Sequence, residues 1–162
     1  MKSAHSYEEL VIWQLGSELR DRIFELTEHG PASRDFEFRK QIRSSSSSVP
    51  SNIAEGFGYY KPKLFARQLR IAIASLDETK SHLQDGAGTK GYFDPDEAGR
   101  LIRLACRTLR ASKSLLRYLD SCKGKAPVDW ALFDRAPKRP RAPNHVNPRV
   151  NPRVNPRPEP SS

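Results

Sequence analysis

The chain is short of cysteine. Cys106 and Cys122 are the only two in 162 residues, and they stand sixteen apart. No second pair of ligands accompanies them, so they form neither a zinc site nor a disulfide framework, and the usage fits a reducing cytoplasm. Long apolar runs are missing as well. Nothing approaches the ~18 residues of a membrane span, and MKSAHSYEEL at the N-terminus lacks the apolar core of a signal peptide. A cytoplasmic protein with no membrane partner is the expectation. Catalytic spacing is absent too. His5, His29, His82 and His145 are scattered, with no carboxylate or nucleophile at motif distance. There is no Gly-x-Ser-x-Gly elbow, and Gly86, Gly88 and Gly91 match neither a phosphate loop nor a dinucleotide fingerprint. The Glu-x-x-His pairs of a di-iron bundle do not occur. These absences leave no candidate active site, metal or cofactor, and point away from an enzyme.

What is present is positive charge, unevenly placed. The chain carries 28 Lys/Arg against 19 Asp/Glu, a net +9. Residues 1–122 hold 19 and 16, so +3, whereas residues 123–162 hold 9 and 3, so +6. Nine of the thirteen prolines also lie in residues 123–162, which sets a boundary near Cys122. The expected division is a folded domain over residues 1–125 and a disordered, basic, Pro-rich tail over residues 126–162. The tail contains an apolar island of Trp130, Leu132 and Phe133. Beyond it come Lys138, Arg139 and Arg141, then three Val-Asn-Pro-Arg repeats that end at Arg149, Arg153 and Arg157. Proline at every fourth position suggests an extended segment presenting one arginine per repeat. A tolerated replication slip explains the repeats equally well.

The folded part turns on Ser44 to Phe57, SSSSSVPSNIAEGF. Its composition resembles a linker, yet Phe38, Ile42, Ser45, Val49, Ile53 and Gly56 step 4-3-4-4-3 through it, one face of a helix. Small Ser45 and Ser46 admit a neighbouring helix closely, and Pro50 removes one amide and forces a bend. Before this helix, Ser6 and Glu9 have the form of a capping box for a first helix from about Tyr7 to Glu28. That helix is expected to bury Leu10, Trp13, Ser17, Ile23, Phe24 and Thr27. His29-Gly30-Pro31 ends it, and the second helix starts after Ser33 with Asp35 and Glu37 at its positive end. Gly56 to Tyr60 form a turn, and Pro62 opens a third helix whose inward face is Phe65, Leu69, Ala72, Leu76, Thr79 and Leu83. Gly86, Gly88 and Gly91 read as a loop. Asp94-Pro95-Asp96-Glu97 caps a fourth helix that buries Leu101, Ala105, Thr108, Ser112, Leu115 and Leu119 and stops at Lys123-Gly124-Lys125. The fold class is all-α: an antiparallel up-down four-helix bundle ~30–42 Å long.

Ser48-Val49-Pro50-Ser51-Asn52-Ile53-Ala54-Glu55-Gly56, Phe65 to Leu69, the Gly91-Tyr92 turn and Leu10-Val11-Ile12-Trp13-Gln14 together carry a resemblance. They are similar to the four-helix-bundle family encoded in intervening sequences of bacterial large-subunit ribosomal RNA, to which the accessory protein of diversity-generating retroelements is also similar. The match covers about Tyr7 to Cys122, and Asn52, Ile53, Ala54, Glu55 and Gly56 are its specific, structural core. The chain departs from the family at Lys61, where serine usually caps the third helix, at Tyr59, where arginine is usual, and at Ala74, where glycine is. The resemblance implies a homo-oligomer, a pentamer in the retroelement relatives, whose basic surface contacts nucleic acid and a reverse transcriptase.

Independently of that resemblance, the fourth helix shows a one-signed ridge. Arg100, Arg103, Arg107, Arg110 and Arg117 fall within an arc of about 100°, with Lys113 beside them, nearly opposite the apolar arc. No acidic residue lies between Arg100 and Leu119, so pairs within the helix cannot neutralise the ridge. Two explanations compete. The ridge follows a nucleic-acid backbone, RNA or DNA, by charge and shape without reading sequence. Alternatively, Glu18, Asp21 or Glu25 of a neighbouring helix or protomer pairs with it. A different class of function, a scaffold recruiting a protein partner such as a reverse transcriptase, would rest on the Trp130 island and the Pro-Arg repeats.

Overall fold

A computed structural model describes residues 4–122 of the chain. Lys123-Gly124-Lys125, the Trp130 island, the basic positions from Lys138 to Arg157 and the expected division near residue 125 lie outside the described residues. A 3-10 turn, Tyr7–Glu9, leads into α1 (Val11–Leu26); α2 (Pro31–Arg34) is a single turn; α3 (Phe36–Gly58), α4 (Pro62–Ala87) and α5 (Pro95–Ser121) are the remaining long helices. Packing runs α1 on α3, α3 on α4, α4 on α5 and α5 back on α1, which closes a ring of four. The direction of each helix follows from contacts between ends. Glu28 beyond α1 meets Arg43 near the start of α3, Glu55 near the end of α3 meets Gln68 near the start of α4, and Arg70 of α4 meets Asp120 at the end of α5. The protein is thus an antiparallel up-down four-helix bundle, as its periodicity predicts. Among the described residues no helix is long and apolar enough to cross a membrane.

The serine run is helical throughout, and α3 continues through Pro50. All six positions of its expected inward face are buried, as are Ser46, Pro50 and Phe57. Small hydroxyls permit this, because each finds a nearby acceptor. Ser45 and Ser46 donate to the carbonyls of Ile42 and Arg43, at 3.2 and 3.0 Å. Two hydroxyl pairs then cross to α4: Ser75 donates to Ser48 at 2.9 Å and Thr79 to Ser45 at 3.0 Å. The α3–α4 seam is therefore close and polar from Ser45 to Ser48, while farther along it Phe57 packs on Phe65. Close approach recurs at three glycines. A Cβ on Gly16 of α1 would stand 2.9 Å from Val49 Cγ1, and one on Gly56 would stand 2.5 Å from the Phe65 ring. One on Gly86 would run into Phe93. Gly86 is the last buried residue of α4 rather than part of the loop expected there, and its carbonyl accepts from the amides of Tyr92 and Phe93.

The first helix departs most from expectation. Ser6 and Glu9 form no capping box: the Glu9 carboxylate accepts from the His5 amide at 3.0 Å, and Ser6 makes no side-chain cap. Leu10 is extended, with ψ 122°, and breaks the helix between the 3-10 turn and α1. The buried face is Ile12, Leu15, Gly16, Ser17, Leu19 and Ile23, with Thr27 just beyond, while Leu10 and Trp13 are half-buried and Phe24 points outward. Phe24 leaves the core because Arg43 takes it as a partner, with the guanidinium 4.6 Å from the ring centre. The same guanidinium donates to the Phe24 carbonyl, Thr27 Oγ1 and Glu28, closing the C-terminal end of α1. Hydrogen bonding from Arg43 holds the Glu28 carboxyl below the ordinary carboxylate range.

At the same end, α3 starts one turn later than Ser33. Asp35 is its N-cap and accepts from the Phe38 amide at 3.0 Å, with α2 forming the turn before it. The second carboxylate oxygen of Asp35 accepts from Lys90 at 3.1 Å and from the Tyr92 hydroxyl at 3.0 Å, which ties the α4–α5 loop to α3. These bonds, the Phe38 amide first, push Asp35 down, and the bond to Asp35 raises both Lys90 and Tyr92. Lys90 also lies over the Phe38 and Tyr92 rings. Asp94 caps α5 as expected, accepting from Asp96 and Glu97 with Pro95 at the first helical position.

Candidate nucleic-acid interface

The ridge on α5 is built by a helix whose other face is committed to the core. Ala98, Leu101, Ala105, Thr108, Leu109, Ser112 and Leu119 are buried and Leu115 is half-buried. At 100° per residue the basic positions fall on the side opposite that buried arc. Arg100, Arg103, Arg107, Arg110, Lys113 and Arg117 are all exposed. None of the six makes an ion pair within the described residues. From Arg100 to Arg117 the ridge is ~25 Å long.

The acids that were candidates to neutralise the ridge are mostly engaged elsewhere. Asp21 pairs with Arg20 at 2.8 Å and Glu25 with Arg22 at 3.8 Å, both within α1. Asp120 stands one turn beyond Arg117, but its two oxygens both accept from Arg70 of α4 at 2.8 Å, so it is turned across the α4–α5 seam. Arg100 is different. It lines a cleft of about 250 Å³ between α1 and α5 together with Glu18, Arg22, Glu25 and Glu97. Three carboxylates share that cleft with two guanidiniums, so the field of Arg100 is partly cancelled there. The unopposed stretch runs from Arg103 to Arg117.

The remaining described candidates, Asn52 to Gly56, lie along the α3–α4 seam and at the turn that follows it. Asn52 donates to the Ser48 carbonyl and to Ser48 Oγ, at 2.8 and 2.9 Å, and so fixes the hydroxyl that Ser75 reaches from α4. Ile53 and Gly56 are buried and Ala54 is half-buried. Glu55 is exposed and accepts from the Tyr59 hydroxyl at 2.6 Å and from Gln68 at 2.7 Å, bracing the α3–α4 turn. In that turn Tyr60 takes φ 52°, and Lys61 supplies no side-chain cap to α4. These contacts stay within the chain: they join α3 to α4 and brace the turn between the two helices. A family model described as 23S rRNA-intervening sequence protein matches residues 8–114, which contain this segment and most of the ridge. The chain belongs to that family. No curated protein matches it. The matched span ends short of Arg117, so the 23S rRNA-intervening sequence relationship covers five of the six ridge cations. Two of the positions singled out as departures from the resemblance have a visible setting. Tyr59 supplies a hydroxyl to Glu55, and Ala74 is exposed, so its methyl group meets solvent instead of a neighbouring helix.

Sequence reasoning did not single out a second basic surface, around Arg39, Lys40 and Arg43 of α3. Its signal was present as cations at i, i+1 and i+4 on a helix whose apolar face was already assigned. It was masked because Phe24 was placed in the core.

Proposed function

We propose that this protein is a non-enzymatic, oligomeric nucleic-acid-binding bundle that engages phosphates through Arg103, Arg107, Arg110, Lys113 and Arg117, with Arg100 at the edge. The observation that carries this reading is a row of exposed cations on a rigid helix, unpaired among the described residues. A helix face held only by solvation mixes signs. Like charges kept one turn apart repel, a cost of a few tenths of a kcal/mol per pair that a polyanion would remove. The family name, which ties the protein to 23S rRNA, supports a nucleic-acid setting. Recognition is by charge and shape, because the described residues form no base-reading module. The homo-oligomer follows from the resemblance, as does its pentameric form, and a cytoplasmic location fits both.

The test is salt dependence. Contact with ~6 phosphates gives a slope of log affinity against log salt of about −4 to −5. Binding of a labelled RNA and a DNA of equal length, measured by anisotropy across a salt series, is expected to show it for both. Affinity unchanged from low to moderate salt would sink the proposal.

A further inference from the structure

The second basic surface differs from the α5 ridge in carrying aromatic rings. It is a groove of about 400 Å³ between the C-terminal end of α1 and the N-terminal half of α3, lined chiefly by Phe24, Phe36, Arg39, Lys40 and Arg43. Phe36, at 66% exposure, is the most exposed of the large apolar side chains described, and Phe24 is 38% exposed. Each ring has a guanidinium beside it: Arg39 lies 5.8 Å from the centre of Phe36, and Arg43 lies 4.6 Å from that of Phe24. No carboxylate lines the groove. The acids beside the lining residues in sequence are engaged elsewhere, Glu25 with Arg22, Asp35 with Lys90 and Tyr92, and Glu37 with the Gln41 amide, whereas Glu28 pairs with Arg43 itself and leaves Arg39 and Lys40 as the unpaired cations. Because α3 stands diagonally across the bundle from α5, the groove and the ridge face different ways.

Exposed rings beside cations suit one chemistry better than the α5 ridge does. A regular duplex presents phosphates and keeps its bases stacked within, so it can satisfy cations while leaving the rings uncovered. An unpaired strand offers both. Its bases stack on aromatic faces and guanidinium planes, and its phosphates meet the cations that rim the groove. We propose that this groove holds a single-stranded segment of nucleic acid, with unpaired bases stacked on Phe36 and on the Arg43–Phe24 pair and flanking phosphates on Arg39 and Lys40. The inference rests on the nucleic-acid reading above and adds a substrate class to it: unpaired strands over duplex.

The experiment uses the full chain and two labelled oligonucleotides of equal length, oligo-dT and its fully abasic counterpart, at one fixed salt concentration. The two carry the same phosphates and differ only in bases. The wild-type chain is expected to bind oligo-dT about tenfold more tightly, the scale of one stacked base. Phe36→Ala with Phe24→Ala should abolish that ratio while leaving abasic affinity unchanged, and Phe36→Trp should keep it and show fluorescence quenching on binding. Phe36→Ala alone, at a side chain two-thirds exposed, should lower the ratio and keeps the test open if the double variant folds poorly. Arg103→Glu with Arg110→Glu, on a face turned away from the groove, should weaken the abasic oligonucleotide and should not lower the ratio. Equal binding of the two oligonucleotides, or a ratio unmoved by the phenylalanine variants, overturns this inference alone. If neither oligonucleotide binds, the reading of the α5 ridge fails and this one with it. If the phenylalanine variants change the sedimentation mass and not the ratio, the groove is a contact between copies of the chain and the proposal is wrong.

Discussion

Reversing two charges in the middle of the α5 ridge separates function from fold. In Arg103→Glu with Arg110→Glu, the altered positions lie seven residues apart, ~10 Å along the helix, about one Debye length at physiological salt. Both side chains are exposed and unpaired, so no described contact is lost. New contacts form instead. A glutamate at 103 stands one turn before Arg107, and one at 110 lies between Arg107 and Lys113. Pairs of this kind stabilise a helix by ~0.2–0.5 kcal/mol each, and repulsion along the ridge is relieved at the same time. The double variant is therefore expected to unfold at the same denaturant midpoint as the wild type or slightly higher, by up to about 1 kcal/mol. Its nucleic-acid affinity should move the other way. Two phosphate contacts are lost, which flattens the log–log salt slope by about 1.4–1.8, and two repulsive groups take their place, for a loss of about 10- to 100-fold at moderate salt. Deleting residues 138–162 removes six basic residues and is expected to cost less, since the α5 guanidinium groups are carried on a formed helix and lose little further conformational entropy on contact. Circular dichroism, urea titration and anisotropy on the three proteins decide the matter. Normal binding by the double variant, or a clear loss of stability, would refute the reasoning: the ridge would then be paired across a contact between subunits.

Gly86→Ala should destabilise the bundle although it replaces glycine in a helix. The added methyl group meets the Phe93 and Phe38 rings, so an overpacking cost of ~1–3 kcal/mol opposes a propensity gain of ~1 kcal/mol. A net loss of up to about 2 kcal/mol in urea unfolding is expected, and a stabilised variant would show that the aromatic cluster yields easily. The cluster around Asp35 should also give stability two pH limits. Asp35 is lowered from its ordinary 3.8, so its contribution is present above that value and fades as pH falls through the folded-state pKa. Lys90 and Tyr92 are raised from 10.5 and 10.0, so theirs is complete below about pH 10 and fades as pH climbs through the folded-state values. Melting temperatures of Asp35→Asn across pH should show a flatter alkaline limb and a shallower acid limb than the wild type, and identical profiles would remove Asp35 from the account.

What the sequence determined by itself is local and periodic. The inward faces of α3 and α4 were legible residue by residue, serines included, because a helix repeats every 3.6 residues whatever it packs against. The cap at Asp94 and the alignment of the α5 cations are equally local, the first a matter of hydrogen bonds within one turn, the second of angle around one axis. Tertiary packing decided whatever depends on which distant segment arrives opposite. Phe24 has apolar character that suits a core, but Arg43, nineteen residues later, reaches its ring and its carbonyl and holds it outside. Asp120 has the spacing to neutralise Arg117, yet Arg70 of α4 takes both its oxygens. Arg100 belongs to the ridge by angle and to a mixed-charge cleft by the position of α1. The serine run reads as a linker in composition and becomes a helix seam only where Ser75 and Thr79 supply hydroxyls from α4. In each case the chain specifies the direction a side chain points, and the neighbouring helix specifies what it meets.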